Sequence, residues 1–184
     1  MNFITTPLSD LIVVEPQVFG DDRGYFFESY HQQKFVTGGI SDEFVQDNQS
    51  QSVKGTIRGL HFQKPPHTQS KLVRVIQGEV YDVAVDLRPE SPTFGQWFGV
   101  YLNADNKKML YIPVGFAHGF CVTSDVAVFV YKCGSLYSQA DEDGIRFDDP
   151  DLNIKWPVDK TDIKLSAKDQ TLKSFEQVRK EVVW

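Results

Sequence analysis

Sulfur and positive charge are both scarce in this chain. Its 184 residues include two cysteines and two methionines. Cys121 and Cys133 have no CxxC motif or Cys/His cluster around them, which excludes an ordinary zinc site and leaves two reduced core thiols. Lys and Arg number 19 against 25 Asp and Glu, for a formal charge of −6. That balance argues against a nucleic-acid surface, although a local cluster of cations can still hold a small anion. Long apolar runs are missing too. The longest early one is Leu11 to Val14, and no basic region precedes it. Neither a signal peptide nor a membrane span is expected, and the cytoplasm is the expected compartment. With no repeat, low-complexity run or linker, residues 1–184 are expected to form one domain.

What the chain has is aromatic residues, 13% of the total with 14 Phe, enough for a large interior or a stacking pocket. Residues 11–19 suit a short strand, Asp21-Asp22-Arg23-Gly24 a turn, and 25–30 a second strand. Residues 31–36 suit one or two helical turns closed by Gly38-Gly39. Residues 44–53 are extended until Lys54-Gly55. Beyond Lys71, strands are predicted at 71–76, 79–87, 97–102, 108–112, 116–123 and 126–133, with a proline-bearing loop at 88–93. Short strands at this spacing indicate an all-β antiparallel sandwich or barrel. Ser166-Ala167-Lys168-Asp169 suits the start of a helix over 167–180, with Ser166 and Asp169 as a capping box.

Two-residue turns at Gln77-Gly78 and Ser124-Asp125 would set two registers. The first pairs Ile76 with Glu79, sets Lys71 against Ala84 and Val73 against Asp82, and makes Lys71 and Asp82 diagonal neighbours. The second pairs Thr123 with Val126 and puts His118 opposite Tyr131. It also turns Cys121 away from Cys133, forbidding a bridge.

Chemistry concentrates in Ile57-Arg58-Gly59-Leu60-His61-Phe62-Gln63. Strand alternation puts Ile57, Gly59, His61 and Gln63 on one face and Arg58, Leu60 and Phe62 on the other. Taken singly, the candidates have ordinary readings. His61 suits a hydrogen-bonded core histidine, Tyr131 a buried tyrosine, Asp169 a cap, and Arg23 and Lys168 solvated charges. An inward Lys71 is harder to dismiss, because buried lysines need partners. Convergence on one cavity would change all of these readings.

Pro113-Val114-Gly115-Phe116-Ala117-His118 resembles the second motif of the cupin superfamily, and the segment from His61-Phe62-Gln63 to Gln77-Gly78-Glu79 resembles the first. Metal-binding cupins carry a second His and a Glu where this chain has Gln63 and Lys71. The resemblance therefore implies the jelly-roll barrel with a few short peripheral helices, and opposes the metal. A wider resemblance spans nearly the whole chain. It rests on Asp22-Arg23-Gly24-Tyr25-Phe26-Phe27-Glu28, Gln46-Asp47-Asn48, Arg58-Gly59-Leu60-His61, Lys71-Leu72-Val73-Arg74-Val75 and Gly78-Glu79-Val80-Tyr81-Asp82-Val83. It continues through Ser91-Pro92-Thr93-Phe94-Gly95, Gly115-Phe116-Ala117-His118-Gly119-Phe120, Tyr131-Lys132-Cys133 and Leu165-Ser166-Ala167-Lys168-Asp169. In this order they resemble the dTDP-4-dehydrorhamnose 3,5-epimerase family. Phe62 departs from an expected Tyr, and Ser138-Gln139 from a proline-containing turn.

The resemblance implies inversion of two carbons flanking the C4 ketone of a dTDP-linked 4-keto-6-deoxyhexose, with no metal or redox cofactor. His61 becomes the base, Asp169 its partner, Tyr131 the proton donor, and Lys71 the cation at the C4 oxygen, held by Asp82. Arg23, Arg58 and Lys168 are implied at the diphosphate, and Arg58, on the face opposite His61 by strict alternation, then requires either a bulge near Gly59 or a reach to a different part of the ligand. Glu28, Gln46, Asp47, Asn48, His118 and Glu142 are implied in the nucleotide and sugar site. A homodimer exchanging N-terminal strands is implied as well. The competing readings are an epimerase acting at only one carbon, a metal-dependent cupin, and a non-catalytic sugar-nucleotide binder. Gln63 and Lys71 oppose the second. The joint presence of His61, Tyr131 and Asp169 opposes the third.

Overall fold

The computed structural model describes residues 1–181, which form thirteen strands and two short α-helices. The strands are β1 (Asn2–Thr5), β2 (Ile12–Glu15), β3 (Phe19–Asp21), β4 (Gly24–Phe26), β5 (Gln46–Val53), β6 (Ile57–Gln63) and β7 (Lys71–Gln77). They continue as β8 (Glu79–Asp86), β9 (Trp97–Asn103), β10 (Met109–Ile112), β11 (Phe116–Val122), β12 (Val126–Cys133) and β13 (Glu142–Gly144). Helix α1 is Gln32–Thr37 and α2 is Phe175–Glu181. A six-stranded antiparallel sheet, β1-β2-β10-β7-β12-β5, faces a five-stranded one, β13-β6-β11-β8-β9. The expected all-β architecture is found, and β3 and β4 form a separate hairpin.

Alternation within the strands makes three apolar layers. Val73, Val75, Leu110 and Phe129 of the larger sheet meet Val80, Ala84, Phe116 and Phe120 of the smaller one. Outside the smaller sheet, Leu60, Phe62, Val83 and Val85 are covered by Leu152, Phe175 and Val178. Outside the larger sheet, Ile12, Val14, Leu72 and Met109 pack with Phe35 of α1 and Ile40.

Both predicted hairpins are absent. β7 pairs with β10 and β12, and β8 pairs with β11 and β9, so Lys71 does not face Ala84 and Val73 does not face Asp82. β11 and β12 likewise lie in different sheets, so His118 is not the cross-strand partner of Tyr131. The two turns are corners that carry the chain between sheets, and they lean on each other. Gly78 is left-handed (φ 74°), and a Cβ there would sit 2.0 Å from the Val126 carbonyl oxygen. The Ser124 hydroxyl accepts from the Glu79 amide at 2.8 Å. Cys121 and Cys133 are free thiols held in opposite sheets, so the absence of a bridge stands for a different reason.

The predicted helix over 167–180 is also corrected. Asp169–Thr171 makes one 3-10 turn, and α-helix begins only at Phe175. Between them Lys173 bridges to Ile145 and its carbonyl accepts from the Arg146 amide at 2.8 Å, which requires extended backbone. Strand structure over 25–30 is limited to the end of β4.

Candidate active site

One end of the space between the sheets is polar, and β6 supplies its first wall. β6 pairs with β11 so that His118 opposes His61 and Phe120 opposes Arg58. One residue of β11 separates the first pair from the second, against two of β6, which is a β-bulge. Strict alternation therefore fails here, and Arg58 shares a face with His61. Glycine makes the bulge possible. Gly59 has φ 122°, and a Cβ on it would lie 2.5 Å from the Gly119 Cα and 2.7 Å from the His118 carbonyl oxygen. Of the two alternatives for Arg58, the bulge near Gly59 is the one found.

His61 Nε2 and Asp169 Oδ1 are 2.6 Å apart, and the Asp169 side chain is 4% exposed. The Ser166 hydroxyl donates to Asp169 Oδ2 at 2.7 Å and accepts from the Asp169 amide at 3.1 Å. The cap and the catalytic-partner readings of Asp169 thus describe the same residue. Burial raises the Asp169 carboxyl, but hydrogen bonds with His61 and Ser166 outweigh it and hold its pKa below the usual range. This carboxylate remains charged and can stabilise an imidazolium.

The facing wall belongs to the larger sheet. Lys71 and Cys133 are cross-strand partners, as are Tyr131 and Val73. Lys71 and Tyr131 line two adjoining cavities of about 250 Å³ each, both of which also reach His61. Among the described residues, neither the Lys71 ammonium nor the Tyr131 hydroxyl has a hydrogen-bond partner. Burial lowers the Lys71 pKa, while Cys133, Glu142 and Asp82 pull the other way. Burial also raises the Tyr131 phenol, which keeps its proton in place for donation.

Asp82 does not hold Lys71. Both of its oxygens lie 3.0 Å from His118 Nε2, and both residues are buried. This second His–Asp pair joins the adjacent strands β8 and β11, a neighbour relation that alternation and turn residues do not specify. His118 stacks on Phe129 at 6.1 Å and lines the cavity with Arg58 and Lys168. Arg58 donates from Nε to the Ser52 hydroxyl at 3.0 Å. Glu142 takes an ion pair from Lys168 and a hydrogen bond from the Tyr137 hydroxyl at 2.7 Å. Burial raises Glu142, and these two partners more than reverse it.

Gln46 and Asn48 line the cavity, while Asp47, on the other face of β5, pairs with Lys132 at 3.0 Å. Arg23 and Glu28 lie elsewhere in this chain. Arg23 is 90% exposed and bound to Asp21 in the β3–β4 turn, and Glu28 pairs with Lys34. Among the described residues, no three His, Cys, Asp or Glu side chains gather as a metal site. The place of the missing ligand, Gln63, is filled by an amide bound to backbone at 2.6 and 3.2 Å.

An antiparallel barrel of the cupin kind, with a His–carboxylate pair on one wall and a free lysine and phenol on the other, gathers the groups that acid–base chemistry beside a carbonyl requires. The family model described as dTDP-4-dehydrorhamnose 3,5-epimerase matches residues 5–177. A dTDP-4-dehydrorhamnose 3,5-epimerase of Shigella flexneri is 57% identical over 159 residues, covering 86% of this chain and 88% of the relative. A crystal structure from Legionella pneumophila, a dTDP-6-deoxy-D-glucose-3,5-epimerase in complex with dTDP-4-keto-L-rhamnose, is 48% identical. It superposes with a TM-score of 0.92 over 96% of this chain and 94% of that one. A more distant structure, a 3'-monoepimerase from Streptomyces bikiniensis with dTDP-quinovose, is 31% identical with a TM-score of 0.88, covering 95% and 88%. The chain belongs to the dTDP-4-dehydrorhamnose 3,5-epimerase family.

Proposed function

We propose that this chain inverts C3 and C5 of dTDP-4-dehydro-6-deoxy-D-glucose, giving dTDP-4-dehydro-L-rhamnose for dTDP-L-rhamnose biosynthesis in the cytoplasm. The observation that carries this reading is the placement of His61, backed by Asp169, on one sheet and of Lys71 and Tyr131 on the facing sheet, around shared cavity space. His61 removes the proton α to the ketone and becomes an imidazolium against Asp169. The electron pair moves onto the C4 oxygen, where the Lys71 ammonium stabilises the enolate. Tyr131, reaching from the opposite wall, returns a proton to the other side of the carbon. Exchange with solvent then resets His61 and Tyr131. Only protons move, so neither a metal nor a redox cofactor is called for.

Arg58 and Lys168 suit the diphosphate, with His118, Gln46, Asn48 and Glu142 around the remaining ligand. Arg23, Glu28 and Asp47 fit this reading through a homodimer with exchanged N-terminal strands. The β3–β4 hairpin exposes Phe19, Tyr25 and Phe26, a surface that a second copy would cover.

The test is incubation with dTDP-4-keto-6-deoxyglucose in deuterated water, read by NMR and mass. Deuterium at both C3 and C5 is expected. Label at one carbon would select the mono-epimerase reading, which the Streptomyces bikiniensis neighbour keeps open. No label at either carbon would overturn epimerisation.

A further inference from the structure

Residues 134–138 run past the cavity without a proline to stiffen them, and expose Leu136 (63%) and Tyr137 (55%). Their backbone is nevertheless fixed, by side-chain amides from three other elements. Gln69 Nε2 donates to the Ser135 carbonyl at 2.7 Å. Gln63 Nε2 donates to the Leu136 carbonyl at 3.2 Å and to the His67 carbonyl at 2.6 Å, and its Oε1 accepts from the Ser138 amide at 2.8 Å. Gln46 Oε1 accepts from the Tyr137 amide at 2.9 Å. Gln63 is 4% exposed, ends the strand that carries His61, and ties two loops together through one amide group.

We propose that Gln63, aided by Gln69, is a positioning residue that holds 134–138 as a preformed wall of the sugar-nucleotide site. The inference rests on the functional reading above and adds a division of labour to it. β6 delivers the base at His61 and, two residues on, anchors the wall that receives the ligand. A wall held before the ligand arrives need not be ordered by it, so the clamp acts on binding. The chemistry on His61, Lys71 and Tyr131 proceeds as before.

The experiment compares wild type, Gln63→Ala and Gln69→Ala in steady-state turnover and in limited chymotrypsin digestion. Gln63→Ala is expected to raise KM on the order of tenfold, with kcat within about threefold of wild type. Cleavage after Leu136 or Tyr137 is expected to speed up by about tenfold or more. Gln69→Ala should move both readouts the same way by less, and it carries the test should Gln63→Ala fail to fold. Gln63→Glu keeps the acceptor for Ser138 but turns both donations into carboxylate–carbonyl repulsions on a nearly buried side chain, and should loosen the loop at least as much as Gln63→Ala. A loop no more cleavable in either alanine variant, or a loss confined to kcat, overturns the proposal. If wild type leaves the dTDP sugar unchanged, the functional reading fails, and the digestion still decides the clamp.

Discussion

Asp169→Asn isolates the charge behind the base. The amide keeps the side chain's shape, its Oδ1 can still accept from His61 Nε2, and its nitrogen can donate to the Ser166 hydroxyl where the carboxylate accepted. What disappears is the negative charge 2.6 Å from the imidazole, on a side chain 4% exposed. That charge matters most when His61 holds the abstracted proton. At an effective dielectric of about 20, unit charges about 4 Å apart attract by about 4 kcal/mol. His61 is 24% exposed, which screens part of this, so about 2–4 kcal/mol of transition-state stabilisation is at stake. That corresponds to a loss of roughly 30–1000-fold in kcat. The assay is single-turnover deuterium uptake at C3 and C5, alongside a melting curve showing the variant folded. A folded variant within about threefold of wild type, or a deficit wholly in KM, would refute the role of the carboxylate.

Four other outcomes follow from the same geometry. Lys71→Met should lose about 10²–10³-fold in kcat through the missing oxyanion donor, yet melt higher than wild type by calorimetry, because burial lowers the lysine pKa and charging it opposes folding. Tyr131→Phe should still wash label into substrate, since His61 is intact, but form product at least about 10²-fold more slowly, which NMR separates. Gly59→Ala should drop Tm by roughly 6–12 °C, since a methyl meets the Gly119 backbone and the φ is unfavourable. In acid, Asp169, Glu142 and Asp143 have folded pKa values below their unfolded ones. Their contribution is fully present above about pH 4–5 and fades as pH falls through the lower folded values, so urea midpoints should decline together below about pH 4.

Much of the strand pattern could be read from the sequence, because alternation and turn residues are local signals. β7, β8, β11 and β12 are found close to their expected spans. Their partners were not legible. A turn such as Gln77-Gly78 announces a reversal, but whether the chain folds back in-sheet or crosses to the opposite sheet depends on Ser124 and Val126, distant in sequence. Lys71, Tyr131 and His118 were still named as candidates, and they do converge, across the sandwich and not along a ladder. The Asp82–His118 pair was hidden for the same reason. Alternation alone left the Arg58 orientation open, and only the β11 register reveals the inserted residue that decides it. The 3-10 turn at Asp169 could not be separated from a helix start, because Ser166 caps either one.

The two corners that send β7 and β11 across the molecule have a consequence for how the site comes into being. His61 and Asp169 stand 108 positions apart along the chain, and the lysine and phenol arrive from a sheet that neither belongs to. No hairpin or isolated sheet holds a working subset, so an expanded intermediate with its secondary structure formed would be catalytically silent. Regained turnover during refolding should therefore lag far-ultraviolet circular dichroism and coincide with burial of the Phe120–Phe129 stack, making the enzyme's own reaction a clock for the closing of one sheet onto the other.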